Sequence, residues 1–105
     1  MKESRKNIIQ NEIEEDPGNP FNYYLLALEL YKEGDWEESK KVFGEIIHQF
    51  PDYLPVYYTF SEKLIDKNTE LEFAEILIKK GIELAIEQKN NKAQRELQAL
   101  LDIHF

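Results

Sequence analysis

The sequence of residues 20–51 is PFNYYLLALELYKEGDWEESKKVFGEIIHQFP, and it predicts two amphipathic helices joined by a tight turn. The first half carries apolar side chains at steps of three and one residues, which is the spacing of one buried helix face. These side chains are Tyr23, Leu26, Ala27, Leu30 and Tyr31. The second half carries a similar face at Val42, Phe43, Ile46, Ile47 and Phe50. Because the turn is short, we expect the two helices to be antiparallel neighbours.

The ends of both predicted helices carry local signals. Asn19 stands just before the first helix and is a candidate N-cap. Gly34 can adopt the positive φ that a helix C-cap needs. Asp35 can cap the second helix, and Glu38 three residues later can complete a capping box. Pro51 ends the second helix, because proline disfavours helical geometry in the residue before it.

Composition limits the class of protein. The chain has 105 residues, enough for one domain, and a net charge of −8 from 21 acidic and 13 basic residues. An acidic surface repels phosphate backbones and anionic lipid, so we predict no nucleic-acid partner and no membrane partner. Few glycines, prolines and valines favour an all-α chain. The absence of cysteine fits a reducing compartment, and we predict a cytoplasmic protein.

A pattern with a period near 34 residues runs along the chain. The paired positions are Pro17 with Pro51, Tyr23 with Tyr57, Leu26 with Phe60, Ala27 with Ser61, and Leu30 with Leu64. After this, Asn68-Thr69 replaces the Gly-Asp turn and one residue is added, so that Ser39 pairs with Ala74. A fixed period near 34 residues indicates stacked helical hairpins.

The repeat predicts six helices in a single domain over residues 1–105. The parts are a half-repeat helix at 3–15, a first repeat at 20–52, a degenerate second repeat at 54–88 and a closing helix at 92–104. Each hairpin has an apolar face that it cannot bury alone, so stacking supplies the core. The half-repeat helix has a narrow apolar stripe at Ile8, Ile9 and Ile13, and the closing helix has one at Leu97, Leu100 and Leu101.

These features resemble a tetratricopeptide repeat, a family with a 34-residue period and a Gly-Asp-aromatic turn between two helices. The matching residues of the first unit are Tyr23, Leu26, Ala27, Leu30, Gly34, Asp35, Trp36, Ser39, Phe43 and Pro51. Ile46 departs from the pattern, since the family prefers alanine there. The second unit lacks the turn glycine and the closing proline. The resemblance covers roughly residues 5–86.

The resemblance implies a right-handed α-α superhelix in which the first helix of each hairpin lines a concave face. It implies a non-catalytic protein-protein interaction scaffold that holds a peptide or protein segment on that face, without a cofactor. By the family pattern, the binding candidates are Phe21, Tyr24, Leu28, Tyr31, Tyr58, Glu62 and Ile65. Tyr24 and Leu28 stand where the carboxylate clamp of one family subtype needs a cation and an amide, so we predict no such clamp.

Two interpretations of these aromatic residues stay open. Aromatic side chains combine a large contact area with a polar tip, which suits a binding surface. They can equally pack on the neighbouring hairpin, because aromatics at helical spacing are more often core than site. Trp36 is either an anchor for a partner or, as we favour, a packing residue between its two helices. Gly44, inside a helix, allows close helix approach or a partner's contact, or lies on an exposed face.

Candidate chemistry is sparse. His48 and His104 are far apart in sequence, and no third metal ligand is evident beside either of them. The segment that starts at Asp66 resembles a calcium loop, but Leu71 and Leu77 stand where such a loop needs glycine and glutamate. We therefore predict no metal, no cofactor and no enzymatic activity.

The alternative function is a self-associating structural module, a homodimer through the ends of the stack. The leucines of the closing helix lie beside Phe105 in the sequence and can leave apolar surface at the C-terminal end. Ile8 and Ile9 can do the same at the other end. Exposed apolar ends favour association between copies of a chain.

Overall fold

The computed structural model describes residues 4–105, which form six α-helices and, within this range, no strand. The helices are α1 (Arg5–Glu15), α2 (Pro20–Lys32), α3 (Trp36–Gln49), α4 (Pro55–Asp66), α5 (Leu71–Glu87) and α6 (Asn91–His104). The predicted all-α class and the six helices are confirmed. Residue 3, the predicted start of the first helix, lies outside the described residues. The single domain over residues 1–105 stays a prediction.

The chain divides into two compact units, Met1–Pro51 and Asp52–Phe105. In the first unit, which holds α1 to α3, helix α2 packs against both α1 and α3. In the second unit, which holds α4 to α6, helix α5 packs against both α4 and α6, and α4 also touches α6. Each unit is therefore a layer of three helices with its own buried core.

Small residues let the helices of each hairpin approach closely. In the first unit, Ser39 of α3 donates a hydrogen bond from Oγ to the carbonyl oxygen of Ala27 in α2, at 2.7 Å. In the second unit the serine is on the first helix: the Ser61 hydroxyl of α4 donates to the Tyr57 carbonyl of its own helix and lies 3.5 Å from the carbonyl oxygen of Ala74 in α5. The two serines and the two alanines are fully buried. The small positions of the repeat thus hold the two helices of each hairpin together.

The predicted apolar stripe of α1 is wrong at Ile8. Ile9 is buried at 7% exposure and Ile13 is half-buried, but Ile8 is 48% exposed. Successive helical residues point about 100° apart, so Ile8 and Ile9 cannot both face α2. The helix is capped at its start by Ser4, whose Oγ accepts a hydrogen bond from the Asn7 N–H at 3.1 Å, a cap that the sequence analysis missed.

The predicted caps of the first hairpin form, apart from the capping box. The Asn19 side chain accepts from the Phe21 N–H at 3.1 Å, and the Asp35 carboxylate accepts from the Glu38 N–H at 3.3 Å. A capping box also needs the Glu38 side chain to accept from the Asp35 N–H. That N–H donates instead to the carbonyl of Leu30 at 2.9 Å. The hydrogen bond at the end of α2 therefore occupies the Asp35 N–H that the capping box would need.

Three helices end in the same Schellman geometry. The residue after the C-cap has positive φ in each, +86° at Gly34, +51° at Asn68 and +57° at Lys89. The N–H of this residue donates to the carbonyl three residues before it, and the N–H of the next residue donates to the carbonyl five residues before that one. These hydrogen bonds measure 2.9 to 3.1 Å. Asn68 therefore takes the place of Gly34 one repeat later, as the sequence predicts. Lys89 carries a side chain in a backbone conformation that favours glycine.

Replacing Lys89 by glycine should raise the free energy of unfolding by about 0.5–1 kcal/mol, because the left-handed conformation costs a β-carbon about 1–2 kcal/mol. The matched control is Lys80→Gly, at an exposed position inside α5, which should lower the free energy of unfolding by about 1 kcal/mol. Urea unfolding followed by circular dichroism measures both. A loss of stability in Lys89→Gly as large as that in the control would contradict the assignment.

The core of the second unit gathers the buried residues Leu54, Ile78, Ala85, Leu97 and Leu100. Leu97 and Leu100 are only 1% and 7% exposed. The expectation that these leucines leave apolar surface at the C-terminal end is therefore wrong. They cover α5 instead, because α6 turns back along it after the break at residues 88–90.

Gly81 occupies the tightest helix contact of the second unit. A β-carbon added there would lie 2.8 Å from the Cβ of Tyr57 in α4 and 3.0 Å from Cδ1 of Leu97 in α6. Gly44 in α3 differs, since a β-carbon there would meet nothing within 4 Å. Of the interpretations of Gly44, close helix approach is therefore wrong, and contact with a partner stays a prediction. Only Gly81 is required by packing.

The two helical glycines should respond oppositely to alanine. Gly81→Ala should lower the free energy of unfolding by about 1–3 kcal/mol, because the methyl group forces α5 away from its neighbours. Gly44→Ala should raise it by about 0.5–1 kcal/mol, because alanine is the better helix former where there is room. Urea unfolding measures both, and two changes of the same sign would contradict the packing at Gly81.

Candidate functional site

Four predicted binding residues lie on one side of α2, at steps of three and four residues. They are Phe21, Tyr24, Leu28 and Tyr31, and together we name them the α2 face. Phe21 is 50% exposed, and the other three are half-buried. The buried side of α2 carries Ala27 and Leu30 instead, at 0% and 2% exposure. The α2 face is thus a strip of large side chains outside the core of the first unit.

Tyr31 is fixed by the turn that follows it. Its ring meets the indole of Trp36 edge to face, with centroids 5.9 Å apart and an interplanar angle of 86°. Trp36 is half-buried at the start of α3. This contact joins α2 to α3 and agrees with the interpretation of Trp36 as a packing residue. It also gives one end of the α2 face a defined side-chain geometry.

The predicted residues of the second unit, Tyr58, Glu62 and Ile65, share one side of α4 and are all half-buried. Tyr58 and Ile65 pack against the core cluster that contains Leu97 and Leu100. Their apolar surface therefore contributes to the core of their own unit. This is the packing role that the sequence left open, and it distinguishes them from the exposed Phe21.

The polar part of the α4 side is acidic. The pKa of Tyr58 is raised, first by burial and then by the nearby carboxylates of Glu62 in α4 and Glu96 in α6. The Oε1 of Glu62 lies 3.4 Å from Nζ of Lys63, a partly exposed pair that contributes little to stability. A basic group of a partner would meet favourable charge here.

The part of the chain that the structure describes holds no cluster of metal ligands and no membrane-spanning helix. Between residues 4 and 105, no group of three His, Asp or Glu side chains is arranged to hold a metal ion. Both histidines are exposed. Within the same range, every helix is too short or too polar to cross a bilayer.

One surface was missed by the sequence analysis. It is a groove in the first unit, named here the α1–α3 groove, between two helices that α2 separates in the chain order. Its only sequence signal is a run of amide and acidic residues at helical spacing on α1, which is also typical of a solvated helix face. No pattern in the sequence indicates which helix stands opposite.

Solved structures show what the chain is similar to. A crystal structure of a tetratricopeptide repeat domain protein from Salinibacter ruber is 29% identical, with a TM-score of 0.72 over 79% of this chain and 91% of that chain. A solution NMR structure of a tetratricopeptide repeat domain protein from the same organism is 30% identical, with a TM-score of 0.76 over 82% of this chain and 86% of that chain.

The sequence matches no protein-family model and no curated protein. The structural likeness covers most of both chains, at an identity that goes with a shared family as well as a shared fold. It agrees with the repeat of 34 residues, the Gly-Asp-Trp turn and the small residues inside each hairpin. The chain belongs to the tetratricopeptide repeat family.

Proposed function

We propose that the protein is a non-catalytic scaffold that binds a peptide or protein segment on the first helices of its hairpins. The observation that carries this proposal is Phe21, a large aromatic side chain that is half exposed at the start of α2 and belongs to no core. Tyr24 and Leu28 continue the same strip. Membership of a family of protein-interaction modules supports the assignment.

The chemistry of the α2 face favours an apolar segment. Fully burying a phenylalanine side chain contributes about 1.5–3 kcal/mol, so covering the exposed half of Phe21 is worth about 1 kcal/mol. Aromatic residues are enriched among the few positions that dominate binding energy. On α4, Glu62 would favour a basic residue in the bound segment, while Tyr58 and Ile65 would contribute less because they already pack in the core.

The test uses a peptide that is selected for binding to the wild-type protein from a phage-displayed library. Phe21→Ala should weaken its binding about fivefold, with the melting temperature nearly unchanged, because this side chain leaves solvent only when the segment binds. The matched control is Ile8→Ala, which removes an apolar side chain of similar exposure from α1. Isothermal titration measures the affinities. Equal affinity of wild type, Phe21→Ala and Tyr24→Ala for the peptide would contradict the proposal.

The second candidate function, a homodimer, is favoured by a different observation. Ile103 and Phe105 at the end of α6 are 74% and 47% exposed. Leu71 and Ile76, also exposed, lie near the start of α5, which an antiparallel hairpin brings beside the end of α6. This surface replaces the buried Leu97 and Leu100 as the candidate for self-association.

Light scattering over a wide concentration range separates the two functions. A constant mass of 12.5 kDa is expected for the scaffold. A mass that rises towards twice 12.5 kDa, and that returns to 12.5 kDa in the variant with Ile103→Ser and Phe105→Ser, supports the homodimer. The cytoplasmic location stays a prediction.

A further inference from the structure

The α1–α3 groove has a volume of about 650 Å³ and is formed entirely within the first unit. Its ten lining residues are Asn7, Gln10, Asn11, Ile13 and Glu14 from α1, Tyr23 and Leu26 from α2, and Glu38, Val42 and Glu45 from α3. A volume of this size lies within the range of about 300–1,000 Å³ found for ligand sites. The groove is thus large enough to receive several side chains.

The groove and the α2 face use opposite sides of the same helix. Tyr23 and Leu26 form its floor, whereas Tyr24 and Leu28 belong to the α2 face. At 3.6 residues per turn, the two sets of positions are centred about 150° apart around α2. A ligand in the groove therefore cannot touch the α2 face, and the groove is a surface separate from the proposed binding site.

The chemistry of the groove combines an apolar floor with an acidic rim. Ile13, Tyr23, Leu26 and Val42 supply apolar surface. The rim carries three carboxylates, of Glu14, Glu38 and Glu45, and none of the ten lining residues is basic. The ion pairs described for the first unit, Arg5 with Glu29 and Lys40 with Glu37, do not involve these carboxylates.

The floor is held in place before any ligand binds. The hydroxyl of Tyr23 donates a hydrogen bond to the carbonyl oxygen of Pro17 at 3.0 Å. Its ring lies against Phe50, with centroids 5.9 Å apart. On the α3 side, the Glu38 N–H is bound by the Asp35 cap, which fixes the first turn of the helix. A preorganised surface loses little conformational freedom on binding.

We propose that the α1–α3 groove binds a basic peptide segment of a partner protein, one that places an apolar side chain between lysine or arginine residues. Charge complementarity selects this occupant. Like charges around a concave surface concentrate a negative potential, which attracts cations and repels acidic chains. A neutral apolar segment would cover the floor but would leave the exposed carboxylates of the rim without a counter-charge. A basic segment with one apolar anchor satisfies both the floor and the rim.

The location is tested by NMR titration of the uniformly ¹⁵N-labelled protein. The probe is a synthetic peptide built from Lys-Leu-Leu-Lys repeats with both ends capped, and the control peptide has glutamate in place of each lysine. The side-chain amide signals of Asn7, Gln10 and Asn11 should shift with the basic peptide and not with the acidic one. Shifts confined to Tyr24 and Leu28, or no shifts at all, would overturn the proposal.

The charge requirement is tested with two matched triple variants. The groove variant carries Glu14→Gln, Glu38→Gln and Glu45→Gln, and the control carries Glu12→Gln, Glu15→Gln and Glu33→Gln, at exposed positions outside the groove. Each triple removes three negative charges and changes the net charge from −8 to −5. The groove variant should bind the basic peptide about tenfold more weakly, and the control should change affinity less than about threefold.

A single variant guards against a folding defect in the groove triple. Gln10→Lys adds a cation to the rim at an exposed position and keeps all carboxylates, and it too should weaken binding about tenfold.

Equal weakening by the groove and control triples would mean that the peptide binds the overall acidic charge, which overturns the proposal. Phe21→Ala should leave this binding unchanged, so failure here is distinguishable from failure of the α2-face scaffold.

Discussion

The close approach of neighbouring helices at small residues is the constraint on which the rest of the structure depends. A buried serine on one helix faces a backbone carbonyl on the other in both hairpins, at 2.7 Å in the first and at 3.5 Å in the second. Gly81 extends this principle to a three-way contact with Tyr57 and Leu97. Buried hydroxyl groups that satisfy backbone carbonyls cost little to bury, while larger residues at these positions would separate the helices. Every other apolar contact of the core depends on that spacing.

The repeat made the hairpins predictable because local geometry and period agree. Gly34 and Asn68, 34 positions apart, adopt the same left-handed conformation, and the small residues follow the same register. The extra residue before α5 is Glu70, which takes a positive φ of 49° and absorbs the slip in the repeat. Sequence reasoning fails where two local options compete. Asp35 shows this, because its N–H is used by the end of α2 and is lost to the capping box.

Contacts outside the repeat register were harder to predict. The α2 face follows from helical periodicity alone, since its residues are those left over when the buried side is assigned. Tyr58 and Ile65 could not be placed in this way, because α6 packs beside them and its register is not fixed by the 34-residue period. The same is true of the α1–α3 groove. It depends on two helices that share no pairing signal in the sequence and that each pack against α2.

The charge distribution gives the two surfaces of α2 a different chemical character. The α2 face is mainly aromatic and aliphatic, so binding there, as proposed, would be driven by apolar burial and would depend weakly on salt. The groove on the opposite side has an apolar floor under three carboxylates, so its attraction for a ligand falls as ionic strength rises. No ion pair described between residues 4 and 105 involves Glu14 or Glu45, whereas Glu38 lies in the first turn of α3, where a negative charge favours the helix dipole. Under the proposal, these carboxylates supply the negative potential that a cationic segment would meet.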